Sequence, residues 1–290
     1  LIVESLYKFF LSFISKGVNT FLSILKILFQ SRFDIKLPSA IGQTCIVVAN
    51  GPSFKQSLER NPTFFREHPL ICLNLLCISE EYIQLKPKYY VLLDPAFFSG
   101  EREDILNTFK CLEEKTTWQM DLIIPQLYIK SKNIIKLQER NHCVRIVVFN
   151  YTVYNGFDSI GFWFYRKNLA APQCMNVAVA ALFVALNIGY KELFVVGVDH
   201  LSHENLHMSS ENKLFIKSTH FYRNEQDIKY VPFLKPNSSL TQKAHEFFHI
   251  WSKTFYGYIV LQKYSQYLKC KIFNASETSF IDAFERKKIV

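Results

Sequence analysis

Between residues 45 and 53 an unbroken apolar run, Cys-Ile-Val-Val-Ala, passes into Asn50, Gly51, Pro52 and Ser53. A strand that bends through glycine into a helix presents unpaired backbone N–H groups, and the positive end of the helix dipole, to a ligand. This is phosphate-binding geometry. Gly51 allows close backbone approach, Pro52 presets φ, and Ser53 is placed to cap the helix. The pattern is neither GxGxxG nor GxxxxGK, so taken alone it is a generic tight turn. Its companions give it weight: Asn74, Asp94 (before Pro95) and Asp199 (before His200) also end apolar runs. Polar groups at strand carboxyl ends gather on the edge where open α/β sheets bind ligands. Asn50, Gly51, Pro52, Ser53, Asn74 and Asp94 are therefore candidate nucleotide contacts, together with Asn176, just ahead of the apolar stretch 177–188.

Group transfer to a hydroxyl needs a base within hydrogen-bond reach, and a neutral imidazole suits that task. His220 lies in a polar loop flanked by Phe221 and Tyr222. His200 is the second candidate, as base or as donor to a leaving phosphate, with Asp199 beside it at the strand end. Lys217, Tyr222 and Arg223 occupy the same loop and could stabilise that phosphate. His200, His203 and His207 with Glu204 do not fit one helical face as a metal set, and no cysteine joins them. Metal-independent chemistry is expected; if magnesium acts, Asp94 and Asp199 supply the oxygen ligands it prefers.

The elements that must hold these residues follow from the pattern. Apolar runs at 45–50, 70–76, 89–94, 121–129, 144–150, 193–199 and 271–276 alternate with helical stretches. That predicts an α/β fold, a mostly parallel Rossmann-like sheet with helices on both faces. Residues 173–188 read as a central helix closed by Gly189, and 239–255 as an amphipathic helix capped at Ser239 or Thr241. Residues 200–238 have weak periodicity and read as a lid loop within a catalytic domain spanning 39–290.

Residues 1–38 stand apart as an N-terminal amphipathic helix and linker. Glu4, Lys8, Lys16 and Lys26 interrupt the apolar residues of 1–30, which argues against a spanning helix and for one lying at a membrane surface. Seven cysteines without CxxC spacing read as reduced core residues, placing the protein in the cytoplasm at the inner face of the membrane. A net charge of +9 suits anionic partners, but no basic patch interleaves with aromatics in an RNA-binding motif, so nucleic acid is not expected.

The blocks IVVANGPS, CLN at 72–74, DP at 94–95 and NIGYKELFVVGVD at 187–199 resemble bacterial sialyltransferases of the Campylobacter type. They are also similar to the wider group that includes motility-associated glycosyltransferases and hydroxymethylpterin pyrophosphokinases. The resemblance covers roughly residues 45–290. It implies a sialyltransferase-like (GT-A variant) fold, a metal-free reaction, and contacts from Asn50 and Asn74 to the CMP part of a nucleotide-sugar donor. Asp94-Pro95 stands where that family has Asn-Pro, adding a negative charge. The family's base histidine would fall near Phe233, so His220 is a substitute in role only. The function expected is transfer of a sugar from a nucleotide donor, a CMP-sugar of sialic acid or Kdo type, to a surface polysaccharide or lipid-linked glycan. The alternatives are pyrophosphoryl transfer from ATP to a pterin-type alcohol, and a non-catalytic membrane-bound assembly protein.

Overall fold

A computed structural model describes residues 2–201, 203–217, 230–235 and 238–289. In chain order the strands are β1 (Thr44–Val48), β2 (Leu70–Leu73), β3 (Tyr89–Val91), β4 (Met120–Pro125), β5 (Val144–Phe149), β6 (Glu192–Val196), β7 (Leu206–Met208), β8 (Leu214–Lys217), β9 (Tyr230–Pro232), β10 (Lys271–Asn274) and β11 (Glu285–Arg286). The main sheet has eight strands in the order β11-β10-β6-β1-β2-β3-β4-β5, every pairing parallel. Helices cover both faces, as the apolar runs predict.

The period-two alternation of a strand divides β1 between two cores. Cys45 and Val47 face the side covered by helices Val177–Ile188 and Ala244–Tyr267. Ile46 and Val48 face the other, where Phe54, Ile105, Leu112, Ile134 and Leu137 arrive from helices Ser53–Arg60, Glu103–Lys115 and Lys132–Arg140. Helix Val177–Ile188 is apolar all round because the sheet and the Ala244–Tyr267 helix enclose it, and Gly189 ends it at φ +110°.

Two sequence expectations are corrected. The segment 200–238 carries a three-stranded antiparallel sheet, β7-β8-β9, rather than loop alone. The second long helix starts at Ala244, not near residue 239, and the Glu246 carboxylate accepts the Lys243 N–H at 2.7 Å. The N-terminal helix, Ile2–Gln30, is by length and composition long and apolar enough to cross a membrane despite its interrupting charges. All seven cysteines are unpaired, and six are buried.

The N-terminal helix docks through polar groups. Thr20 Oγ1 accepts the Phe157 N–H at 3.0 Å, and Ser23 Oγ donates to the Asn155 carbonyl at 2.9 Å. Gly156 lies so close that a Cβ there would sit 2.1 Å from Thr20 Oγ1. Beyond the helix, Ser31 Oγ donates to the Leu169 carbonyl at 2.7 Å.

Candidate functional site

The strand order runs outward from β1 to β5 on one side and resumes with β6 on the other, so the topological switch lies between β1 and β6. In open α/β sheets the crevice at that point is where ligands bind. Here it is a cavity of about 420 Å³ lined by residues 49–52 after β1, Leu73 and Asn74 after β2, Asn176–Ala178, and 197–201 after β6, with Glu204 and Asn205 at the rim. No lysine or arginine lines it among the described residues.

The turn after β1 is closed internally. Gly51 N–H donates to the Gly197 carbonyl at 2.8 Å, Ser53 N–H to Asp199 Oδ2 at 2.9 Å, and Phe54 N–H to the Gly51 carbonyl at 3.1 Å. Ser53 Oγ also donates to Asp199 Oδ1. The amides expected to cradle a phosphate at Gly51 and Ser53 are thus already paired, and a carboxylate stands at the start of the Ser53–Arg60 helix. Asp199 is buried at 4% exposure. Burial pushes its carboxyl up, and the two Ser53 bonds pull it down. It fastens the end of β6 to the turn after β1 through its two bonds to Ser53.

Two of the residues lining the cavity carry side-chain oxygens without a partner. Asn50 Oδ1 and Asn74 Oδ1 are buried and have no hydrogen-bond partner. Buried acceptors left unpaired cost about 1–3 kcal/mol each, a cost a ligand's donors would remove. Asn74 sits at φ +47°, a left-handed conformation held in part by the Tyr90 phenol donating to its carbonyl at 2.5 Å. Backbone strain of this kind gathers at ligand sites.

His200, at φ +53°, lines the same cavity with its ring packed among Phe255, Tyr258 and Trp251. Asn176 caps the central helix by accepting the Val179 N–H through Oδ1 at 2.9 Å, while its Nδ2 donates to Tyr258 Oη at 3.0 Å. Tyr258 Oη lies 2.7 Å from His200 Nε2; in the tautomer where the phenol donates to Nε2, the neutral ring carries its own proton on Nδ1. Burial pushes the imidazole down to about 4. Because the unfolded chain then binds the proton first, the stability that neutral His200 contributes is whole above the unfolded value of ~6.5 and is lost as pH falls toward 4. Asp199, with its raised carboxyl, acts in the opposite sense, losing its contribution as pH rises through its folded value. The melting temperature of the native chain is expected to fall more steeply between pH 6.5 and 4 than that of His200→Gln; equal slopes in scanning calorimetry would contradict the assignment.

The other expected residues separate. Asp94 is exposed, outside the cavity, and its Oδ1 accepts the Ala96 N–H at 2.9 Å. Lys217, half-buried at the end of β8, is tied to the rim by its N–H donating to the Asn205 carbonyl at 2.9 Å, but does not line the cavity. His220, Tyr222 and Arg223 lie outside the described residues. His203 packs on Phe280 and on Trp251, the ring that also packs against His200, and His207 packs on Tyr230; neither lines the cavity. Among the described residues no group of three or more His, Cys, Asp or Glu side chains could hold a metal ion. Sequence reasoning did not single out Tyr258, one tyrosine of 15 on an amphipathic helix. Gly197 carried a readable signal, a glycine closing a strand.

No family model matches the chain, and no curated protein matches it. Among solved structures it is similar to the MAf glycosyltransferase from Magnetospirillum magneticum AMB-1, at 13% identity and a TM-score of 0.49, over 91% of this chain and 37% of that one. The likeness is one of chain arrangement, and the chain spans little more than a third of that protein's length.

Proposed function

We propose that the switch-point cavity binds the nucleoside of a CMP-sugar, of sialic acid or Kdo type, and that the protein is a glycosyltransferase acting on a surface polysaccharide or lipid-linked glycan. The observation that carries this reading is that Asn50 and Asn74, whose side-chain oxygens are buried and unpartnered, both line one cavity at the sheet's carboxyl edge, where a side-chain rotation would turn those oxygens to a ligand. They call for hydrogen-bond donors, which ribose hydroxyls and the exocyclic amine of cytosine supply. The phosphodiester of such a donor carries no proton at neutral pH, supplies only acceptors, and would be repelled by the Asp199 carboxylate.

In this scheme the acceptor hydroxyl attacks the anomeric carbon, the bond from that carbon to the phosphate oxygen breaks, and the electron pair leaves with the nucleotide. Neutral His200 presents Nδ1–H to the phosphate as charge accumulates there. His220 is the group proposed to take the acceptor's proton. The proposed donor reaction needs no metal, and the proposed location is the cytoplasmic face of the membrane.

A thermal-shift panel of CMP, CDP, UDP, GDP and ATP, each with and without magnesium, tests the reading. A nucleotide at 100 times its dissociation constant stabilises the fold by about 2.7 kcal/mol, roughly 5 °C for a chain of this size. A rise with CMP independent of magnesium is expected; a rise only with ATP and magnesium would replace sugar transfer by pyrophosphoryl transfer.

A further inference from the structure

The N-terminal helix is amphipathic in an inverted sense. Its docked stripe is largely polar: Thr20 and Ser23 are buried against residues 154–157, with Ile27 beside them. The side turned away is apolar. Val3, Phe10, Ile14, Phe21 and Leu28 are 47–80% exposed, and Phe29 reaches 86%. At 100° per residue the exposed apolar residues span about 220°, from Phe9 and Phe13 round to Leu22, and the part from Leu6 to Leu22, about 160°, is common to both halves of the helix. It runs the helix's whole length, along the half docked on the domain as well as the half beyond it. One border carries Lys8, Ser15, Asn19 and Lys26. Through residue 36 the segment has five basic residues against two acidic ones, and both acidic ones are paired, Glu4 with Lys8 at 2.6 Å and Asp34 with Arg32.

We infer that this face lies in the headgroup region of an anionic phospholipid bilayer, its axis parallel to the membrane plane, with the domain riding on the cytosolic side of the helix. Three features select that occupant. The width exceeds the two-in-seven seam of a coiled coil, which a second copy of the helix would need. The lysines border the apolar sector, where headgroup phosphates lie when such a helix sinks to its equator. The docking bonds of Thr20 and Ser23, with that of Ser31 just beyond, hold the second half of the helix along the domain, so the helix cannot stand upright in the bilayer without immersing the attached surface of the domain. The inference is independent of the cavity's ligand.

Flotation of the full chain with vesicles of phosphatidylcholine, alone and mixed with phosphatidylglycerol, tests it. The chain is expected to float with the anionic vesicles, at least tenfold more than with neutral ones, and Phe10→Glu/Phe21→Glu is expected to abolish flotation with an unchanged melting temperature. Phe10→Trp and Phe21→Trp place reporters about 16 Å apart along the axis. Equal quenching by shallowly brominated lipids is the expected result. A large difference in depth between the two would mean a spanning helix and overturn the parallel placement. Absence of flotation, or flotation unaffected by the double glutamate variant, would overturn the bilayer as occupant; a dimer in light scattering that the same variant dissociates would assign the face to a second copy.

Discussion

Gly51→Ala is expected to lower the stability of the fold by roughly 3 kcal/mol, and the melting temperature by about 6 °C or more. A Cβ on Gly51 would lie 2.4 Å from the Gly197 carbonyl oxygen and 2.6 Å from Asp199 Oδ2. Neither atom can retreat cheaply, since one is backbone and the other is held by Ser53. Gly197→Ala carries a double penalty. Its φ of +72° disfavours a side chain, and the new Cβ would meet the Ala49 carbonyl oxygen at 2.5 Å and Phe54 Cβ at 2.8 Å. Both substitutions strike one junction, the contact of the two loops on either side of the switch point. Differential scanning calorimetry of the two variants reads the effect. A loss below ~1 kcal/mol in both would mean the loops are not held together as described.

His200→Gln is expected to reduce the rate of sugar transfer about 10²-fold or more, with the KM for the donor little changed. The reason is differential: a donor aimed at the leaving phosphate acts more strongly as charge develops than on the bound ground state. Tyr258→Phe is expected to give a smaller loss. It removes the hydroxyl that fixes the ring at 2.7 Å and leaves the imidazole in place. Steady-state kinetics with the donor identified by thermal shift separates the cases. A rise in KM with kcat intact would make His200 a binding group only.

The seven buried strands and the central helix were legible because parallel strands covered on both faces read as continuous apolar runs, and the closing glycine at 189 marks a helix end. The small sheet β7-β8-β9 was not legible. Its strands are three or four residues long and mostly exposed or half-buried, too short for an apolar run or a buried alternation to show. The site was half legible. Asn50, Asn74, Asn176 and His200 were found by their positions at strand ends and helix starts, and the fold does bring them to one cavity. The state of the turn's amides was not, because the groups that occupy them, the Gly197 carbonyl and the Asp199 carboxylate, come from 146 residues away. Local sequence describes what a bend can offer, and only the tertiary contact decides whether it is already taken. Tyr258 was hidden for the same reason: its role depends on meeting Asn176 and His200 from a distant helix.

Titration calorimetry of CMP into the native chain, Asn50→Ala, Asn74→Ala and the double variant bears most directly on whether these two oxygens receive a nucleoside. Each single variant should weaken binding about tenfold and the pair about a hundredfold, the worth of ~1.4 kcal/mol per hydrogen bond. Undiminished affinity in the double variant, or no heat of CMP binding in the native chain, would contradict the account.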